Sequence, residues 1–63
     1  MKVGEIWKDK EDCEEIKIVD IWTDNSVGHP IDYVEYVTTN SDKRINVLEQ
    51  RDFIMSYEKV YTT

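Results

Sequence analysis

The sequence predicts a mainly β fold in which five short strands curl into a partly open barrel, with one short helical turn near the C-terminus. Three observations favour this fold. Apolar and β-branched residues recur with the period of two that is typical of strands. Clusters of turn-forming residues separate these stretches. The chain has 63 residues, which suffice for one small domain with a single core.

The first two predicted strands are residues 3–8 and residues 15–23. Residues 9–14 between them are highly charged and predict an exposed turn, because ionised side chains are costly to bury. Within the second strand the apolar residues change parity between Ile18 and Val19. A phase change of one residue in mid-strand predicts a β-bulge or a sharp bend.

The middle of the chain alternates between loop and strand signals. Residues 24–30 contain Asn, Ser, Gly and Pro and predict a loop. Ile31–Thr38 is rich in Tyr and Val and predicts the third strand. Residues 39–43 predict a turn, and residues 44–48 predict the fourth strand.

Residues 49–57 change the period from that of a strand to that of a helix. One helical face would hold the apolar side chains of Leu48, Phe53, Ile54 and Tyr57. We therefore expect a short helical turn that buries this face. Residues 58–61 predict a closing strand.

Five short strands and one helical turn allow few packings. A flat open sheet of this size leaves one face uncovered and both edges free. A sheet that curls on itself covers the face and protects the edges. We therefore predict a single SH3-like domain over residues 1–63, a five-stranded, partly open barrel. An α+β roll, with one helix on an antiparallel sheet, is the alternative.

Four segments carry a resemblance to known proteins: VGEIWK at residues 3–8, IKIVDI at 16–21, VEYV at 34–37 and FIMSYE at 53–58. They resemble a class of short SH3-like proteins encoded by phages and prophages of Gram-positive bacteria. The resemblance extends over nearly the whole chain and rests on hydrophobic spacing and a Gly-x-x-Trp start. The acidic residues after Lys8 depart from the class. The resemblance implies an SH3-like fold and a phage setting; most members have no assigned function, and it implies no catalytic residues.

The chain is acidic, with 14 Asp and Glu residues against 8 Lys and Arg residues and a net charge of −6. This charge makes direct binding of nucleic-acid phosphates unfavourable. The excess lies in residues 1–35, which hold ten acids and four bases, whereas residues 36–63 hold four of each. The charge asymmetry therefore points to the first part of the chain as the functional part.

Targeting and redox signals favour the bacterial host cytoplasm. The first residues lack the apolar stretch of a signal peptide. Apolar runs are only two or three residues long, so no membrane partner is expected. Cys13 is the only cysteine in the sequence and has no partner for an internal disulfide.

An acidic cluster is the sharpest local feature, with five carboxylates in seven residues: Asp9, Glu11, Asp12, Glu14 and Glu15. Three interpretations are open. The cluster is a solvated turn that keeps the domain soluble. It is a Ca²⁺ site, although it lacks the central glycine and distal Glu of an EF-hand loop. Or it recognises a basic partner.

Recognition of a basic partner extends the cluster to a larger acidic face. Acids at alternate strand positions lie ~6.6 Å apart and neighbouring strands ~4.8 Å apart, while B-DNA carries one charge per ~1.7 Å of axis. Such a face is a sparse imitation of DNA and attracts proteins that bind nucleic acid. Its candidate residues are Asp9, Glu11, Asp12, Glu14, Glu15, Asp20, Asp24, Asp32 and Glu35.

Seven aromatic residues are many for so small a core. Most are expected inside, with the Tyr hydroxyls reaching water. The functional alternative is an aromatic groove for an extended peptide, as in SH3-type modules. Its candidates are Trp22, Tyr33 and Tyr36, and we expect Trp22 to be exposed because it shares parity with Asp20 beyond the bend.

No catalytic, cofactor or metal motif is complete in this sequence. His29 stands alone in a loop, with Asp24 and Asp32 as its nearest acids. Carboxylates surround Cys13 and disfavour a reactive thiolate. Asp20 and Glu35 form a possible carboxylate pair on adjacent strands, but no pocket is implied. We therefore expect a non-enzymatic protein without cofactor or metal.

The leading hypothesis is a phage-type protein that binds and inhibits a basic host protein, such as a histone-like nucleoid protein, by DNA-like charge mimicry. The rival hypothesis is a peptide-binding or phage assembly module that uses the aromatic residues. A third is an accessory protein that forms a homo-oligomer through an edge strand.

Overall fold

A computed structural model describes residues 1–26, 28–39 and 43–60. The elements in chain order are β1 (Ile6–Asp9), β2 (Glu15–Asp24), β3 (Ile31–Thr38), β4 (Ile45–Glu49), α1 (Gln50–Ser56) and β5 (Tyr57–Lys59). The strands form one open antiparallel sheet in the order β4-β3-β2-β1-β5. The prediction of a mainly β fold with five strands and one short helix near the C-terminus is confirmed.

The strand bounds differ from the predicted ones mainly at the N-terminus. β1 begins three residues later than predicted, because the chain makes a turn around Gly4. Gly4 has a φ of 95°, which glycine adopts without steric cost, and its N–H donates to the Ile18 carbonyl at 2.8 Å. The predicted loop at 24–30, turn at 39–43 and closing strand at 58–61 include Val27, residues 40–42 and Tyr61, which lie outside the described residues.

The predicted irregularity in the second strand is confirmed as a shift in register between β2 and β3. Ile18 lies opposite Tyr36, but Asp20 lies opposite Glu35, so Val19 has no partner on β3. This extra residue has the arrangement of a β-bulge. The bulge exchanges the two faces of β2, because side chains alternate along a strand.

The core lies on one side of the sheet, which we call the inner face. Its buried residues are Ile16, Ile18, Val34, Tyr36 and Phe53. The bulge allows β2 to contribute to it on both sides of the phase change: Ile16 and Ile18 before it, and half-buried Ile21 after it. A strand without the bulge would turn one of these groups outward.

Helix α1 fills the inner face with one aromatic side chain. The Phe53 ring is fully buried, and its centroid lies 5.1 Å from that of Trp7, 5.3 Å from that of Tyr36 and 4.6 Å from that of Tyr57. The helix contacts β3 and both edge strands, β4 and β5. The prediction that Ile54 shares this buried face is wrong: Ile54 is 51% exposed, because seven residues make only about two turns and Phe53 alone points at the sheet.

Candidate protein-binding face

The acidic turn between β1 and β2 uses part of its charge to hold its own shape. The Asp9 Oδ1 atom accepts hydrogen bonds from the N–H groups of Glu11 at 2.7 Å and Asp12 at 3.4 Å. The Asp12 Oδ1 atom accepts one from the N–H of Glu14 at 3.0 Å. Cys13 takes a left-handed φ of 61° to close the turn. Two of the carboxylates therefore have a structural role, as is common for Asp in tight turns.

The nine predicted acids do not share one side of the sheet. Asp32 lies opposite Thr23, on the same side as the buried pair formed by Ile21 and Val34. The Thr23 hydroxyl donates to the Asp32 carboxylate at 2.6 Å. At the end of β2, the Asp24 carboxylate accepts a 2.8 Å hydrogen bond from the Ser26 N–H, and this bond lowers the pKa of Asp24.

The opposite side of the sheet, which we call the outer face, brings two acids together in its middle. Asp20 and Glu35 are direct cross-strand partners in the β2–β3 register. They point outward because the neighbouring partners Ile21 and Val34 point inward. In the described part of the chain, neither forms an ion pair with a Lys or Arg; the two ion pairs there join Lys8 to Glu58 and Lys59 to Glu5.

The next row of the outer face is aromatic. Trp22 lies opposite Tyr33, and their rings stack with centroids 5.9 Å apart and an interplanar angle of 25°. Trp22 is 36% exposed, as the parity argument predicts. Tyr36, the third aromatic candidate, is only 6% exposed and belongs to the core, so the aromatic surface consists of Trp22 and Tyr33.

The Asp20–Glu35 row and the Trp22–Tyr33 row form one compact patch, which we call the acid–aromatic patch. Residues two apart on a strand share a face and lie ~6.6 Å apart, and paired strands lie ~4.8 Å apart. Two carboxylates therefore lie beside the edge of a stacked aromatic pair. Glu15 starts β2 on the same face, whereas the turn residues Glu11 and Asp12 lie beyond the strands.

Two apolar side chains on the outer face of β4 were not predicted from the sequence. Ile45 is 67% exposed and Val47 is 47% exposed, while Leu48 packs against the core. Their shared parity is visible in the sequence, but period-two apolar residues normally face inward. Only the register places them outside, since Val47 lies opposite Glu35 and Ile45 opposite Val37.

The other candidate residues do not gather into a site. His29 lines an open cleft of about 270 Å³ together with Asp32, Glu49 and Arg51 among others. Cys13 is exposed. Within residues 1–26, 28–39 and 43–60, no three His, Cys, Asp or Glu side chains are placed to hold a metal ion. The same residues contain no helix long and apolar enough to cross a membrane.

Comparison with protein-family models, with curated proteins and with solved structures gave no match to this chain. The resemblance to phage-encoded SH3-like proteins therefore stays a prediction, and the outer face of the sheet is the feature that points to a function.

Proposed function

We propose that this chain is a non-enzymatic binding module whose acid–aromatic patch binds a protein with a basic surface. The observation that carries the proposal is the placement of the Asp20–Glu35 row directly beside the stacked Trp22–Tyr33 row on the outer face, where Asp20 and Trp22 are exposed and Glu35 and Tyr33 are half-buried. Neither carboxylate has an ion-pair partner among the described residues. The patch thus offers charge that the fold itself does not neutralise.

The chemistry of the patch suits Lys and Arg side chains. Carboxylates accept charge-assisted hydrogen bonds from ammonium and guanidinium groups. An aromatic face beside them adds a cation–π attraction of ~0.5–1 kcal/mol at an exposed site. A partner that presents several Lys or Arg side chains on one surface gains both contributions at once.

The overall charge favours a partner that normally binds nucleic acid. Asp and Glu side chains on the outer face and in the turn take the place of phosphates, and the net charge of −6 speeds encounter with a basic surface. We propose competition as the mechanism: the chain occupies the DNA-binding surface of a host nucleoid protein in the bacterial cytoplasm. Its origin would be a phage or prophage.

The proposal includes an SH3-like barrel as the fold. Helix α1 joins β4 directly to β5 and contacts both of these edge strands. The bulge at Val19 bends the longest strand. Both features support a sheet that curls around Phe53 and leaves its outer face free for binding.

A pull-down from bacterial lysate at low and at high salt tests the proposal. The wild-type chain should retain a basic nucleic-acid-binding protein at low salt and lose it at high salt, because charge pairs at a surface are screened. Glu35→Lys should abolish retention. Asp52→Lys, an equal charge change in the first turn of α1, is the matched control and should retain the partner.

Equal loss in both charge variants would contradict the patch, since net charge alone would then explain binding. A second candidate function is peptide recognition by the aromatic row, favoured by the exposure of Trp22. In that case Trp22→Ala abolishes retention at both salt concentrations while Glu35→Lys has little effect.

A further inference from the structure

Strand β4 is an edge strand whose outward backbone groups are not used by the sheet. β4 is the first strand in the sheet order and pairs only with β3. The Thr38 N–H donates to the Arg44 carbonyl at 3.1 Å. Hydrogen-bonded residues alternate in an antiparallel ladder, so Asn46 continues this series towards β3. The backbone groups of Ile45 and Val47 point to the free edge.

This edge lacks the usual protection against strand pairing. Natural edge strands carry Pro, an outward Lys or a bulge. β4 has the sequence INVLE and keeps a regular register with β3. Its two outward side chains, Ile45 and Val47, are the most exposed apolar residues of the sheet.

We propose that two copies of this chain pair through β4, antiparallel, about a two-fold axis at Asn46. Ile45 then lies opposite Val47 of the partner subunit, and Val47 lies opposite the partner subunit's Ile45. Each of these two pairs exchanges both backbone hydrogen bonds. Each also packs two exposed apolar side chains together on the outer face, which stabilises a sheet. The inference goes beyond the proposed function and does not depend on it.

The charges along β4 are self-complementary, which identifies the occupant as a second copy. Lys43 and Arg44 precede the strand and Glu49 ends it. Antiparallel pairing about Asn46 brings the cationic residues that precede each β4 towards the end of the partner strand, which carries Glu49 of the partner subunit, twice over. A basic strand from another protein would be repelled by Lys43 and Arg44 at the start of β4, so its pairing there would have no favourable charge contribution.

The acidic excess of the chain does not oppose this contact strongly. It lies in residues 1–35, whereas residues 36–63 hold equal numbers of acids and bases. Residues 9–15, which hold five acids and one base, lie on β1, the start of β2 and the turn between them. They are at least two strands from the edge, a distance of ~10 Å that exceeds the screening length of ~8 Å at physiological salt. An acid nearer the edge is Glu35 on β3, opposite Val47.

Sedimentation equilibrium of the purified chain at low and high concentration tests the dimer. Wild-type protein should shift from monomer to dimer as the concentration rises. Val47→Lys should weaken the dimer by at least about tenfold, equivalent to ~1.4 kcal/mol, because it buries an ammonium group against an isoleucine. Ile54→Lys changes another exposed apolar residue and should leave dimerisation unchanged. A wild-type chain that stays monomeric overturns the proposal, as does equal weakening by both variants.

Disulfide trapping tests the register in a Cys13→Ser background. Asn46→Cys places two cysteines at the axis, where facing Cα atoms of a non-hydrogen-bonded pair lie ~4.5 Å apart, within the range for a disulfide. Ile45→Cys places them roughly 8 Å apart, beyond that range. The Asn46→Cys chain should cross-link and the Ile45→Cys chain should not. Equal cross-linking, or none in either chain, contradicts the proposed pairing.

Discussion

Asp20 and Glu35 lie directly opposite each other on β2 and β3, with both carboxylates on the outer face. Like charges in this position are destabilising in a sheet, and no cation in the described residues pairs with either. The two acids therefore cost the isolated chain stability. We interpret that cost as the consequence of a surface used for binding, since an apolar or oppositely charged partner at either position would favour folding.

Glu35→Gln should raise the free energy of unfolding by about 0.5 kcal/mol, because it removes the repulsion across the β2–β3 ladder while keeping the side-chain shape. Urea unfolding followed by circular dichroism measures the change. Glu11→Gln, in the exposed turn, is the control and should leave stability within error. A loss of stability in Glu35→Gln would show that the carboxylate is a stabilising group instead.

Phe53→Leu should destabilise the fold by about 1–2 kcal/mol, and Phe53→Ala by about 3–5 kcal/mol. The reason is that the Phe53 ring is fully buried and contacts three other aromatic rings. A chain of this size has only a few kcal/mol in total, so Phe53→Ala should be largely unfolded at room temperature.

The control for Phe53 is the next residue in the same helix. Ile54→Ala removes an exposed side chain and should change the unfolding free energy by less than about 0.5 kcal/mol. Comparable losses at both positions would contradict the assignment of Phe53 as the single helical residue in the core.

Deletion of Val19 should abolish folding or strongly destabilise the sheet. Val19 is the unpaired residue of the bulge, and its removal reverses the two faces of the rest of β2. Ile21 would then point to solvent and Trp22 to the core. Val19→Thr keeps the residue count and should be tolerated, because this side chain is 37% exposed. Native-like unfolding of the deletion chain would rule out a structural role for the bulge.

Glu5 should make the stability of the chain depend on pH in the acid range. Its carboxylate contacts the Lys59 ammonium at 2.9 Å and accepts hydrogen bonds from the Lys2 N–H and the Trp7 indole. The ammonium of Lys59, chiefly, and the two hydrogen bonds lower the pKa of Glu5 from 4.5 to about 2. A lowered folded-state pKa stabilises the fold above the unfolded value and loses that effect as the pH falls.

The contribution of Glu5 should therefore be complete above pH 4.5 and disappear as the pH approaches 2. Thermal unfolding of the wild type and of Glu5→Gln at several pH values measures it. The difference between the two should be at most about 1 kcal/mol near neutral pH, as for exposed ion pairs, and should vanish at the acid end. A difference that stays constant with pH would assign the effect to packing.

Much of the fold follows from period and turn signals, and the exceptions have physical causes. The parity change at Val19 predicted the bulge because both halves of β2 must reach one core. The start of β1 was not predictable from alternation, since Gly4 makes a turn within an alternating stretch. Ile54 is exposed because α1 has only seven residues, or about two turns, and only Phe53 in it is buried. The prediction assumed a helical face extending over nine residues, which is longer than the helix.

The candidate site was predictable in part. Parity identified Trp22 as exposed and placed Asp20 on its face, but the neighbours Glu35 and Tyr33 come from the register between strands. The predicted acidic face also contained nine acids. In the structure, Asp32 lies on the inner side of the sheet, and the Asp9 carboxylate accepts a backbone hydrogen bond within the turn. The register between strands depends on tertiary packing, and the alternation of residues along one strand does not reveal it.

Recognition of a basic surface is tested most directly by the affinity of the chain for a purified histone-like nucleoid protein, measured by titration at several salt concentrations. We expect the logarithm of the binding constant to fall steeply as the logarithm of the salt concentration rises. Glu35→Lys should remove most of the binding, and Asp52→Lys should leave it. An affinity that does not change with salt, or that survives Glu35→Lys, would contradict recognition of a basic surface by the acid–aromatic patch.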